Sequence, residues 1–109
     1  MQQREYFQRL IRQIEEAVTH IESLVKEGRI DDAVLALDTA WASVLSLKRH
    51  DIERLNDATV LLLLGAKAPY ATPLFVAQAS IEDARGATRA AAELRRRAAD
   101  LAPAGIAVR

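Results

Sequence analysis

Two histidines and the carboxylates beside them are the residues of this chain best suited to acid–base or metal chemistry. His20 follows Glu16 by four positions, so on a helix the two side chains would share a face and could bind a metal or move a proton. His50 directly precedes Asp51. The commoner roles for such isolated pairs are an exposed histidine on a polar helix face and a cation at a helix C-terminus. We therefore expect neither catalysis nor metal binding at these positions.

The rest of the sequence offers no other reactive group. There is no cysteine, which excludes thiol catalysis, disulfides, iron–sulfur clusters and cysteine zinc sites. The four glycines are isolated from one another, so no phosphate-binding loop is expected. Glu15 and Glu16 are adjacent and would point about 100° apart on a helix, which keeps them from sharing a metal easily. The sequence thus predicts a non-enzymatic protein without cofactor or metal.

The strongest polar feature is a basic stretch near the end of the chain. Arg85, Arg89 and Arg96 fall roughly on one helix face, and Arg95 and Arg97 flank the last of them. Such a face could contact nucleic-acid phosphates or an acidic protein. Acidic residues interleave with it, at Glu82, Asp83, Glu93 and Asp100. No aromatic residues accompany it, and 15 basic residues balance 15 acidic ones. An ion-paired surface is favoured, and a small regulatory nucleic-acid-binding protein is the alternative.

Five consecutive apolar residues, 60–64, form the most unusual stretch. On a helix they would cover every side, and a helix that is apolar all round is buried all round. Leu61 and Leu64 would lie on one side, while Leu62 and Leu63 point elsewhere. One pair would face the intrachain core, and the other would face solvent in a monomer. A second copy of the chain could cover that pair, so we expect a homodimer, with another protein as the further possibility.

The elements that carry these residues are predicted to be helices. Half of the 109 residues are hydrophobic and 28% are charged, which is the composition of one globular domain. Strong helix formers dominate, and apolar residues recur at steps of three and four. We predict an all-α fold of five antiparallel helices, at about 3–27, 31–50, 51–65, 74–84 and 88–101.

Local signals set the boundaries of these predicted helices. Within the predicted third helix, Asn56 and Asp57 suggest a cap for a second short helical piece, 58–64. Two prolines suggest that residues 65–73 form a loop, and Thr72 is expected to cap the helix that follows. Pro103 and Gly105 are expected to close the last helix.

A spacing of small residues occurs twice, 58 positions apart. Gly28 is followed by alanine at plus five and plus twelve, and Gly86 is followed in the same way. The four alanines are Ala33, Ala40, Ala91 and Ala98. Small residues seven apart lie on one side of a helix and allow a neighbouring helix to approach closely. This pattern, with Pro103 five residues after Ala98, resembles the tetratricopeptide repeat, a helix–turn–helix unit of 34 residues.

The resemblance implies two helical hairpins, at 1–48 and 72–102, with an inserted helix at 51–65. Phe75 and Ala79 also match the family, whereas Glu82 and Ile21 depart from it. Small bacterial proteins share this layout, and the family binds other proteins. The basic residues with which its peptide-binding members hold a carboxylate are missing here, so no ligand-binding residue is transferred. A plain five-helix bundle is the alternative fold.

Sequence features also suggest where the protein works. The N-terminal residues are polar and charged, unlike a secretion signal, and the longest apolar run is shorter than the roughly 20 residues that a membrane span needs. We therefore expect a cytoplasmic protein that binds no membrane. Twelve arginines against three lysines, together with abundant alanine, suggest a GC-rich bacterial genome.

Overall fold

The computed structural model describes residues 2–102, and over that range the chain is helical and contains no strand. Pro103 and Gly105, the predicted end of the last helix, lie outside the described residues. The helices are α1 (Gln2–Lys26), α2 (Ile30–Leu45), α3 (Arg49–Glu53), α4 (Asp57–Leu64), α5 (Ala68–Ala84) and α6 (Thr88–Leu101). A 3₁₀ turn, Gly65–Lys67, joins α4 to α5, so counting Asp57–Ala84 as one run gives five helices, the predicted number, with a different division of residues 49–84. The all-α prediction is confirmed.

A glycine turn ends α1. Gly28 has φ of +77°, a conformation that costs glycine little and other residues more. Its N–H donates to the Val25 carbonyl at 3.0 Å, and the Arg29 N–H donates to the Leu24 carbonyl at 2.9 Å. These two bonds define a Schellman cap, which satisfies carbonyls that the end of a helix leaves free.

The turn after α5 repeats this geometry. Gly86 has φ of +82°, and its N–H donates to the Asp83 carbonyl at 3.0 Å. The Ala87 N–H donates to the Glu82 carbonyl at 2.8 Å. Ala87 has φ of −88° and ψ of 67°, against −89° and 69° for Arg29 after the first turn. The repeated sequence spacing therefore corresponds to a repeated backbone conformation.

The core lies where α5 packs against α1, α2 and α6. Trp41 and Phe75 are fully buried there and meet edge to face, with ring centroids 5.3 Å apart. The repeated small residues are buried as well, at Ala33, Ala40, Ala91 and Ala98. Small side chains and two large rings thus lie together with buried leucines and isoleucines in the core between four long helices.

The predicted loop at 65–73 is wrong, because this stretch is helical. Pro69 lies in the first turn of α5, where its missing N–H would have no helical partner. Pro73 lies inside the helix and deprives the Pro69 carbonyl of its usual donor. The Thr72 hydroxyl donates to that carbonyl at 3.0 Å. Thr72 is therefore not a helix cap. Its hydroxyl instead replaces the backbone donor that Pro73 lacks.

The predicted boundaries of the second and third helices also need correction. Helix α2 ends at Leu45, and Ser46 takes the left-handed conformation with φ of 59°. The cations at 48–50 therefore do not close α2, because α3 begins at Arg49. The predicted third helix at 51–65 is two separate helices, and the second of them, α4, is the short piece for which a cap was predicted. Asn56 caps the second of them by accepting the Thr59 N–H at 2.8 Å, as its position in the sequence suggested.

The run Asp57–Ala84 is long and apolar enough to cross a membrane by length and composition alone. The 3₁₀ turn interrupts it, and Lys67 lies near its middle. Its α5 portion carries eight buried residues and packs against α1, α2 and α6. Packing within the protein accounts for part of this apolar character, since the most apolar 18-residue stretch of the run is 39% buried.

Candidate interaction surfaces

Helix α4 exposes three consecutive leucines, Leu61, Leu62 and Leu63, which we call the leucine ridge. Leu62 is 84% exposed, and the other two are about half exposed. Val60 and Leu64 are buried. The predicted pairing of Leu61 with Leu64 is wrong, because the buried pair is Val60 and Leu64, one helical turn apart. The expectation that part of this run faces solvent is confirmed.

The leucine ridge is exposed because α4 is short and only one of its sides is covered. It packs against α5, α6 and the 3₁₀ turn, and these contacts leave Leu62 almost fully in solvent and the other two leucines half covered. Gly65, with φ of +55°, ends α4 directly after Leu64. A helix of eight residues with one buried face must leave the remaining leucines of an all-apolar run outside.

Arg97 holds α4 in this position. Its Nε donates to Asp57 at 2.8 Å, and its two terminal nitrogens donate to the carbonyls of Ile52, at 3.1 Å, and Leu55. Its guanidinium also lies over the Phe75 ring, 5.8 Å from the centroid. The Arg97 side chain is only 15% exposed. Although Arg97 belongs to the basic stretch of the sequence, its side chain therefore takes part in the packing of the fold.

The neighbouring arginines pair with carboxylates on the surface. Arg96 contacts Asp100 at 2.6 Å, Glu93 at 3.3 Å and Asp57 at 3.5 Å. The charge of Glu93, followed by its hydrogen bond and the other two carboxylates, raises the pKa of Arg96. Arg95 contacts Asp83 at 2.6 Å. The basic charge in this part of α6 is thus balanced locally.

The two remaining arginines of the predicted face differ from each other. Arg85 lies 3.5 Å from Glu82, one turn earlier on α5. Arg89 is exposed and has no carboxylate partner among residues 4–102. The interleaved acidic residues therefore make the ion pairs that their spacing suggested, with Arg89 as the exception.

A groove of about 670 Å³ runs between α1 and α2. Ala17, Ala36 and Ala40 contribute small side chains to it, and Leu35 beside them is 66% exposed. Sequence reasoning missed this surface, because Leu35 lies off the apolar stripe of α2. Its only signal in the sequence is a leucine among the polar positions of that helix.

The histidine positions hold no cluster suited to chemistry. His20 and Glu16 both lie along the α1/α2 groove and are exposed. His50 is exposed in the first turn of α3. No group of three or more histidine, cysteine or acidic side chains able to hold a metal occurs in the described part of the chain.

A partly buried polar network that the sequence did not reveal joins three helices. Arg49 donates to Asp38 of α2 and to Glu53 at 2.6 Å, and Gln78 of α5 donates to the same Glu53 carboxylate. Burial of Arg49 would lower its pKa, but the hydrogen bond to Asp38 and the charge of Glu53 outweigh it and raise the pKa. These groups are bonded to one another and position α3, so they present no open site.

No family model matches this sequence, and neither a curated protein nor a solved structure is significantly similar to it. The class of protein is therefore defined by its fold and its exposed surfaces. The described residues form an all-helical protein whose distinctive exposed features are an apolar ridge and an apolar groove.

Proposed function

We propose that this chain is a non-enzymatic helical-repeat protein that acts by binding protein, in the first place a second copy of itself. The observation that carries the proposal is the leucine ridge. Each leucine left in water forgoes about 1.5–3 kcal/mol relative to full burial. Covering Leu62 alone would recover much of that energy, and the smallest assembly that does so is a homodimer.

A tetratricopeptide-like layout is part of the proposal. In it, α1 with α2 and α5 with α6 form two antiparallel hairpins, with α3 and α4 as the insertion. Two observations support this arrangement: the matching turns at Gly28 and Gly86, and the packing of α5 against both helices of the first hairpin. Stacked hairpins of this kind expose apolar ends unless those ends are capped by polar surfaces.

We further propose that the protein is soluble and works in the cytoplasm of a bacterium. The apolar run Asp57–Ala84 serves as a core helix in this proposal, because its α5 portion is covered by α1, α2 and α6. The leucine ridge is left for protein contact. The nucleic-acid alternative is disfavoured by the carboxylates that pair with Arg85, Arg95 and Arg96.

Analytical ultracentrifugation tests the proposal. We expect the wild type to sediment as a dimer or larger species at concentrations on the order of tens of micromolar, and Leu62→Glu/Leu63→Glu to sediment as a folded monomer. Val76→Glu is the matched control, because Val76 is a 41% exposed apolar residue outside α4 and outside the α1/α2 groove. A wild type that remains monomeric would refute self-association.

A further inference from the structure

The α1/α2 groove is lined by side chains that would allow it to bind a helix. Small side chains of Ala17, Ala36 and Ala40 line it and allow close approach of another helix. Leu24 and Val44 add apolar walls, and Leu35 projects beside them. Polar residues at the edges, such as Thr39 and Ser43, would remain in contact with water.

The groove is long enough for α4. Its lining residues extend from Gln13 to Leu24 on α1 and from Asp32 to Val44 on α2. At the helical rise of 1.5 Å per residue, these stretches are about 18 and 20 Å long. Helix α4, with its eight residues, is about 12 Å long. Helix α4 could therefore lie along the groove with Leu62, the most exposed leucine of the ridge, facing into it.

A chain cannot fill its own groove with its own ridge. The groove is lined by α1, α2 and Arg29 of the turn between them. Helix α4 is held on α5 and α6, where Arg97 fixes its first residue, Asp57. The two apolar surfaces are thus built from different elements, and both face solvent in a single copy of the chain.

The charges at the two surfaces are complementary. Asp57, the one carboxylate of α4, is paired with Arg97 and Arg96, and Lys67 follows the ridge by one turn. The groove has Glu16 on its α1 side, a carboxylate without an ion-pair partner among residues 4–102. Lys67, whose Nζ lies 5.8 Å from the Tyr6 ring centroid in the free chain, could therefore pair with Glu16 in a docked complex, whereas Arg29 and Asp32 of the groove already pair with each other.

We infer that the leucine ridge of one copy docks into the α1/α2 groove of a second copy. This inference rests on the proposed self-association and adds the surface that receives the ridge. The contact joins two different surfaces, so it can form once and leave a free ridge and a free groove at the two ends, or form twice by reciprocal exchange in a two-fold dimer. The first arrangement grows with protein concentration, and the second stops at two copies.

Mixing two variants, each with one disrupted surface, tests the inference. Leu35→Glu disrupts the groove, and Leu62→Glu/Leu63→Glu disrupts the ridge. Each variant alone is expected to sediment as a monomer with wild-type helical circular dichroism. An equimolar mixture is expected to form a 1:1 heterodimer of twice the monomer mass and nothing larger, because one intact ridge meets one intact groove. Val76→Glu should assemble like the wild type.

Other outcomes separate this inference from the proposed function. A Leu35→Glu protein that assembles like the wild type, beside a monomeric ridge variant, would overturn the groove assignment and leave ridge-to-ridge association standing. A monomeric wild type would overturn both. If Leu35→Glu fails to fold, Thr39→Glu replaces it, because Thr39 is exposed and lines the same groove. A mixture that stays monomeric would likewise overturn the inference.

Discussion

Arg97 donates a hydrogen bond from its Nε to the carboxylate of Asp57, 40 positions earlier in the chain, at 2.8 Å. This bond joins the middle of α6 to the first residue of α4. Together with the bonds to two carbonyls at the end of α3, it fixes the segment that carries the leucine ridge. A residue that looks from the sequence like part of a basic surface thus determines how an apolar surface is presented.

Replacing Arg97 should therefore affect stability more than replacing its exposed neighbour. We expect Arg97→Ala to lower the free energy of unfolding by about 2–4 kcal/mol, because it leaves partly buried acceptors unpaired. Arg95→Ala removes an exposed ion pair and should cost about 1 kcal/mol or less. Urea unfolding followed by circular dichroism measures both values. Equal losses for the two variants would contradict the role assigned to Arg97.

The two repeated turns should respond alike to substitution. We expect Gly28→Ala and Gly86→Ala each to destabilise the protein by about 1–2 kcal/mol, because both glycines have left-handed backbones. A Cβ at either position would meet no atom within 4 Å, so the cost is conformational and not steric. Thermal unfolding of the two variants compares them. If only one substitution is destabilising, the turns are not equivalent in energy.

Small side chains at the repeated positions should be required by packing. We expect Ala91→Leu and Ala98→Leu each to cost about 1–3 kcal/mol, since the added atoms would overpack a filled interior. Ala92→Leu on the exposed side of α6 is the matched control and should change stability little. The comparison is made by urea unfolding. Unchanged midpoints at both buried positions would argue against close helix approach there.

The two double substitutions within the leucine run should have opposite effects on folding. Leu61→Glu/Leu64→Glu places a carboxylate at a position that is 4% exposed, and we expect the chain to unfold. Leu62→Glu/Leu63→Glu changes only exposed side chains and should preserve the helical spectrum. Far-ultraviolet circular dichroism distinguishes the two results. A folded Leu64 variant would show that the burial assigned to α4 is wrong.

The arginine face should bind nucleic acid weakly or not at all. We expect no shift of mixed RNA or DNA in native gels even at low salt, because most of the basic charge is already paired. Arg89→Glu/Arg96→Glu should leave the unfolding midpoint nearly unchanged, since both side chains are exposed. Salt-sensitive binding that this double variant abolishes would instead support the nucleic-acid alternative.

The sequence alone was sufficient for the all-helical fold class and for the two glycine turns. Gly28 and Gly86 could be placed because a helix end with a left-handed residue is a local event, decided within a few positions. The buried alanines could be placed because they keep a helical spacing after each turn. The absence of cysteine likewise excluded thiol chemistry without any structure.

Local signals failed where two structures satisfy them equally well. Pro69 and Pro73 fit a loop as well as the start of a helix, and α5 is helical there because Thr72 serves the freed carbonyl and the core covers the helix. Asn56 was recognised as the cap of a short helical piece, but local signals did not show that α3 ends before it, at Glu53. In both places the outcome depends on what the neighbouring helices bury.

The candidate surfaces were decided largely by the tertiary structure. A helix that is apolar on every side has no periodicity in its hydrophobic pattern. The sequence of α4 therefore predicted an exposed apolar surface but did not determine which leucines form it. The packing of α4 on α5 and α6 buries Val60 and Leu64 and leaves Leu62 outside. The groove exists only because α1 and α2 lie side by side, and Arg97 is buried only because Asp57 and two carbonyls surround it. Such features depend on contacts between residues distant in the chain, which spacing along a single helix does not encode.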